Sequence, residues 1–174
     1  MYFSSFPKIV YDIDNSGNLK VVTEIFRRIK LRDKISDSTS LYLKYFVQNG
    51  DTPESIAYKH FGSASLHWVI LLTNNITDRY YGWPLSDQAF EEYVKNKYTN
   101  PGAIHHYEKV QSSGVTTSSD YSHLIECNST DLGASSVSNY EYELRLQDAK
   151  REIKLLDRKY LPIFIEEFQK KISL

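Results

Sequence analysis

The segment from Leu41 to Gly62 leaves little freedom in local structure. Leu41-Tyr42-Leu43-Lys44-Tyr45-Phe46-Val47 is rich in aromatic and branched residues and reads as a strand, which Gln48-Asn49-Gly50-Asp51 then turns. Thr52-Pro53 starts a helix. The Thr52 hydroxyl can cap free backbone N–H groups, Pro53 sits where no N–H is needed, and Glu54 lies at the positive helix end. Ile56, Ala57, His60 and Phe61 make the inner stripe, and Gly62 supplies a left-handed stop.

The next helix, from Ser63 or Ser65 to Asn74 or Asn75, is apolar on more than one face, because Trp68-Val69-Ile70-Leu71-Leu72 is unbroken. A module of about forty residues cannot bury that much alone, so flanking segments or a partner must cover it. Ser86 caps a third helix with Phe90, Tyr93, Val94 and Tyr98 as its stripe, ended by Asn100-Pro101-Gly102.

Four segments follow from this punctuation. Residues 1–40 form an extended arm, with a short strand near Pro7–Ile13, a turn at Asp14–Asn18 and an aperiodic apolar stretch from Val21 to Ile29. Residues 41–100 hold the module and its extra helix. Residues 101–138 hold a β-hairpin, with strands Ile104–Val110 and Tyr121–Cys127 around a Ser/Thr/Gly loop at 111–120 and a mobile small-polar loop at 128–139. Residues 139–174 are helical. Tyr142, Leu146, Ala149, Ile153 and Leu156 follow a helix-pairing spacing, although Ile153–Leu156 reads equally well as a strand, and a last helix runs from Leu161 to Ile172. The fold class is α+β.

Twenty-one basic and 22 acidic residues leave a net charge of −1, which argues against a nucleic-acid binder and against docking on an anionic membrane. Met1–Phe6 leads straight into Pro7 without a basic head and apolar run, and the longest apolar run is five residues, so a cytoplasmically made, soluble chain is expected. Fourteen Tyr, eight Phe and two Trp make 14% of the chain aromatic, a composition that suits protein contact surfaces as well as a core.

Catalytic patterns are missing from the sequence. His105 and His106 are adjacent on an expected strand and should point to opposite faces; no spacing suits a metal, and no cofactor is implied. Cys127 has only His123 nearby, four residues back on the same strand and face, which is thin support for a nucleophile. There is no G-x-S-x-G and no glycine-rich phosphate loop.

Tyr45-Phe46-Val47, Gly50-Asp51-Thr52, Ile56-Ala57, Leu66 and Asn74-Asn75-Ile76 together resemble a LysM module, a βαα(β) unit. The likeness stops at Thr77, where Thr77-Asp78-Arg79-Tyr80-Tyr81-Gly82-Trp83-Pro84 replaces the usual closing strand. Phe61-Gly62-Ser63, His67 to Leu72, Asn74-Asn75, Asp78 and Tyr80–Trp83 resemble the baseplate wedge protein fifty-three family of T4-type contractile-tailed phages. That resemblance extends to Phe6-Pro7, Tyr11, Thr23–Arg28 and Arg151–Leu156. It implies a non-enzymatic virion protein, assembled in the host cytoplasm in six copies per baseplate. Such a protein would bind wedge scaffold proteins and tie neighbouring wedges around the hub, with the sheath-initiating baseplate protein as a further candidate partner. The module is defined by Tyr45, Val47, Gly50, Asp51, Thr52, Ile56, Ala57, Trp68, Asn74, Asn75 and Ile76; Phe26, Arg27, Arg28, Tyr80, Tyr81, Trp83, Tyr142 and Leu146 are the candidate partner contacts. The rival reading is glycan binding, since free LysM modules bind N-acetylglucosamine polymers such as peptidoglycan.

Overall fold

The computed structural model describes residues 2–12, 15–31, 40–111 and 123–173, which fall into two units, 1–83 with 151–174, and 84–150. The first unit is therefore discontinuous in sequence. The loop expected at 111–120 lies, after Gln111, outside the described residues, as does Tyr121.

In the first unit, β1 (Lys8–Asp12) and β2 (Leu19–Thr23) form an antiparallel hairpin, so part of the aperiodic stretch after the turn is a strand. β3 (Tyr42–Phe46) pairs antiparallel with β7 (Glu152–Leu156), from Tyr42 opposite Leu156 to Phe46 opposite Glu152. Backbone bonds from Val47 N to Arg151 O (2.8 Å) and from Asp157 N to Leu41 O (3.0 Å) extend the ladder at both ends. Of the two readings of Ile153–Leu156, the strand is the one adopted.

Helix α1 (Pro53–Phe61) begins as its sequence dictates. Thr52 Oγ1 accepts from Ser55 N at 3.2 Å and Ser55 Oγ accepts from Thr52 N at 3.0 Å, a reciprocal cap. Gly62, with φ 81°, ends the helix and donates to Tyr58 O at 2.9 Å. The Arg158 guanidinium donates to the last carbonyls, His60 O and Lys59 O, where a cation favours the negative helix end.

Helix α2 (His67–Thr73) is where the excess of apolar residues finds its cover. Ile70 joins Val47, Ile56, Ala57, Trp83, Ile153 and Leu155 in one cluster. Trp68 and Val69 face another, built from Phe6, Leu156, Phe168 and Ile172. Trp68 lies 4.4 Å from the ring of Phe168 and 5.6 Å from that of Tyr2, centroid to centroid. Both flanks of the chain thus cover the helix: the N-terminal arm, and α6 (Leu161–Ile172) at the other end. A short helix α3 (Arg79–Gly82) follows, capped by Asp78, whose carboxylate accepts from Tyr80 N (2.8 Å) and Tyr81 N (3.2 Å). A Cβ at Gly82 would stand 2.9 Å from Ile76 Cγ2, so only glycine permits this approach.

The second unit holds α4 (Asp87–Lys97), capped by Ser86, a sheet of order β5–β4–β6, and α5 (Asn139–Ala149). β4 spans Ile104–Val110, β5 Leu124–Cys127 and β6 Ser135–Ser138. β6 corrects the expectation of a mobile loop at 128–139: Ser-Ser-Val-Ser supplies backbone partners to β4, and its single apolar side chain, Val137, is buried. The hairpin is therefore a three-stranded sheet.

The helix-pairing seam is a second correction. α5 stops at Ala149, and Ile153 and Leu156 belong to β7. The buried residues of α5 are Glu143 and Gln147, while Leu146 is exposed. Glu143 tolerates burial because Lys97 Nζ (2.7 Å) and Tyr98 OH (2.8 Å) both donate to its Oε1. Burial alone would raise the Glu143 pKa, but these bonds outweigh it and hold the carboxyl below the usual range.

Two outcomes follow. Trp68→Ala should cost ~3–5 kcal/mol in denaturant unfolding, as loss of a buried aromatic does. Because the folded-state pKa of Glu143 is depressed, its contribution is present above the ordinary value of 4.5 and is lost as pH falls below it. Glu143→Gln should lower stability at pH 7 by about 1–3 kcal/mol and flatten the acid limb of a stability–pH curve.

Candidate assembly surfaces

Asp51 organises the strand-to-helix turn. One carboxylate oxygen accepts from Tyr45 OH (2.7 Å) and Gln48 N (3.2 Å), and the other from Lys59 Nζ (2.9 Å). Burial opposes its ionisation, yet the bonds from Lys59, Tyr45 and Gln48 together hold its pKa below the usual value. The same pairing acts on Tyr45 in the other direction: burial, then the hydrogen bond and charge of Asp51, push the phenol up to about 12. The backbone carbonyl of Asp51 accepts from Trp83 Nε1 at 2.9 Å, and Glu54 is paired with Arg79 at 2.7 Å. The carboxylates of Asp51 and Glu54 and the carbonyl of Asp51 are thereby committed within the unit.

Asn74 closes the opposite side. Its Nδ2 donates to Lys154 O (2.8 Å) and Ile70 O (2.8 Å), while its Oδ1 accepts from Lys154 N (2.8 Å). One side-chain amide thus occupies both backbone groups of Lys154, as a neighbouring strand would. Asn75 adopts φ 52°, which lets Ile76 N return to Leu71 O at 2.8 Å and sends Ile76 inward.

The residues expected from sequence to meet partners have different placements. Phe26 is 91% exposed, Tyr80 82% and Tyr81 76%. Arg27 pairs with Glu24 (2.7 Å) and donates to Ile172 O (3.2 Å), and Arg28 donates to Asn75 Oδ1 (3.4 Å), so both pin the arm while Phe26 points out. Trp83 lies in the core at 7% exposure. An open groove of about 530 Å³ runs between the arm and α2, walled by Tyr2, Phe3, Ile29, Trp68 and Leu72, with Arg28 and His67 among its polar lining.

Within the second unit, Tyr142 stacks on His105, with ring centroids 3.9 Å apart and planes at 11°. The expectation that His105 and His106 face opposite ways fails: their Nδ1 atoms are 2.9 Å apart. A register shift between Ile104 and His106 is the reason, since a bulge breaks the alternation of an ideal strand. His106 Nε2 lies 2.8 Å from Glu108 Oε1, and Glu108 also pairs with Arg145 at 2.6 Å. Burial pushes the Glu108 pKa upward, but the bonds from Arg145 and His106 keep it low. Sequence periodicity could not have found this cluster, because the bulge is what assembles it. His123, with φ 56°, stands ahead of β5, so the strand alternation that put it on the face of Cys127 does not reach it. Among the described residues, no group of three or more His, Cys, Asp or Glu side chains could hold a metal ion, and no helix is long and apolar enough to cross a membrane.

The strand–helix–helix unit and its arm fall within the part of the chain that a known family covers. A family model described as base plate wedge protein 53 matches residues 1–117. The chain belongs to the base plate wedge protein 53 family. Baseplate wedge protein gp53 of Enterobacteria phage T4 is 30% identical over 105 residues, covering 59% of this chain and 54% of that protein. The chain thus spans about half the length of that relative. Membership makes the chain a structural baseplate protein, a component of the virion tail.

Removing one hydroxyl tests the turn. Tyr45→Phe should lower stability at pH 7 by about 1 kcal/mol, the worth of a hydrogen bond to a charged group partly open to water. The raised folded-state pKa of Tyr45 gives stability that is complete below pH 10 and lost as pH rises toward about 12. The variant should lack that alkaline loss in a thermal-melting series.

Proposed function

We propose that this protein is a linking element of the baseplate wedge: a LysM-like seat that binds wedge scaffold proteins and ties neighbouring wedges around the hub. The LysM-like reading is supported by the order β3, turn, α1, α2, and by an antiparallel partner for β3 that arrives late in the chain as β7. The partners proposed are the other wedge proteins, with the sheath-initiating baseplate protein among them and six copies of this chain in a sixfold baseplate.

The observation that carries the reading is the outward presentation of Phe26, Tyr80 and Tyr81 by a unit whose own core is complete. Large aromatics in water cost free energy, and aromatics at the centre of a contact commonly contribute most of its affinity. Arg27 and Arg28 fix the arm on which Phe26 stands, while Tyr142 and Leu146 are proposed as a separate contact on the second unit. Glycan binding is less well served, because the turn between β3 and α1 spends its carboxylates and a carbonyl on its own chain.

Co-expression with the other wedge proteins of the same phage supplies the test. The wild-type chain should co-purify with them, and Phe26→Ala or the pair Tyr80→Ala/Tyr81→Ala should weaken the association by about 2 kcal/mol or more without lowering the melting temperature. Retention on peptidoglycan with no wedge partner captured would favour the glycan reading instead.

A further inference from the structure

Two imidazoles of the second unit converge on one point. The bulge between Ile104 and His106 re-aims side chains that an ideal strand would alternate, and it brings the Nδ1 atoms of His105 and His106 to 2.9 Å. Each ring is held by a neighbour. Tyr142 stacks on His105 with centroids 3.9 Å apart, and Glu108 Oε1 lies 2.8 Å from His106 Nε2. Arg145 fixes Glu108 in turn at 2.6 Å.

These bonds decide where the protons sit. An ionised carboxylate only accepts, so His106 Nε2 carries the hydrogen and its Nδ1 presents a lone pair. With no ion between them, His105 Nδ1 donates to that lone pair. Moving this one hydrogen to His105 Nε2 leaves two lone pairs directed at a shared point, and His105 is exposed, so water can exchange the proton and deliver an ion. A carboxylate on the outer nitrogen is the usual support of a metal-binding histidine, because it fixes the tautomer and makes the other nitrogen more basic. The local charge favours a cation as well. Glu108 and Glu141 share one guanidinium, that of Arg145, while Lys109 is offset by Asp131.

We infer that His105 and His106 are the two protein ligands of an open divalent transition-metal site, with water in the remaining positions. No group of three or more His, Cys, Asp or Glu suits a metal among the described residues, so the site is no structural staple. The spacing selects the ion. With metal–nitrogen bonds of about 2.0–2.1 Å, nitrogens 2.9 Å apart subtend about 90° at the metal, a cis angle of square-planar or octahedral coordination. Copper(II) and nickel(II) suit that angle better than zinc, which prefers a tetrahedron. The site stands independently of the wedge-linking reading.

Copper(II) titrated into the full chain, first stripped of metal with a chelator, tests the inference by calorimetry and electron paramagnetic resonance. One ion should bind with a tetragonal spectrum split by two imidazole nitrogens. His105→Ala or His106→Ala should weaken binding on the order of a hundredfold, and Glu108→Gln, which keeps both ligands, about tenfold with the two-nitrogen spectrum retained. Melting curves check that each variant is folded, and His105→Ala alters an exposed side chain only. Copper affinity unchanged in His105→Ala, or a spectrum without two-nitrogen splitting, would overturn the inference.

Discussion

The pairing of β3 with β7 is the constraint on which the first unit depends. It joins residues 42–46 to 152–156 and so closes a fold whose two parts are separated by the whole second unit. The pairing places Ile153 and Leu155 against Val47, Ile56 and Ile70, and Leu156 against Trp68 and Val69. It also brings Arg158 to the end of α1 and starts α6 on its course over α2. Asn74 then occupies the backbone of Lys154, so the free side of β7 is partly satisfied by a side chain instead of a third strand. Each of these contacts is lost if the strand pair is.

How much of this could be read from the sequence depends on the range of the interaction that decides each element. Thr52, Pro53 and Gly62 act on backbone groups within four residues, and the helix they bound is the one found. Trp68–Leu72 declared an unmet need for cover, but only the folded chain shows that Phe6, Phe168 and Ile172 meet it. Two strands escaped notice. β2 has no clean alternation because the adjacent Val21 and Val22 fall on opposite faces, and Ser-Ser-Val-Ser in β6 is defined by the strand it pairs with. The buried Glu143 was invisible for a related reason, since its neighbours Lys97 and Tyr98 come from 45 or more residues away.

The surfaces divide along the same line. Phe26, Tyr80 and Tyr81, nominated from sequence as partner contacts, are exposed. Trp83, their neighbour, went inward because its indole N–H finds the carbonyl of Asp51 and its ring fills the space beside Ile56 and Ile70. His105, His106 and Tyr142 were brought together by a bulge that no periodic pattern announces. Family membership fixes the setting, a phage baseplate, and Phe26, Tyr80 and Tyr81 are the contacts proposed within it.

The interruption of the first unit by residues 84–150 also sets an order of events on the ribosome. The strand β3 and helices α1 and α2 emerge early, but β7 and the Phe168 and Ile172 side chains follow only after the whole second unit, 67 residues (150 minus 83), has been made. Throughout that interval Trp68 and Val69 have the N-terminal arm and close neighbours such as Tyr42 and Phe61 beside them, but not Leu156, Phe168 or Ile172, and contacts so distant in sequence form slowly. The nascent chain therefore passes through a stage in which its stickiest helix is half dressed. Tyr2 and Phe6, which pack in the same cluster as Trp68, are made before it, whereas the α6 side chains that complete its cover are made last.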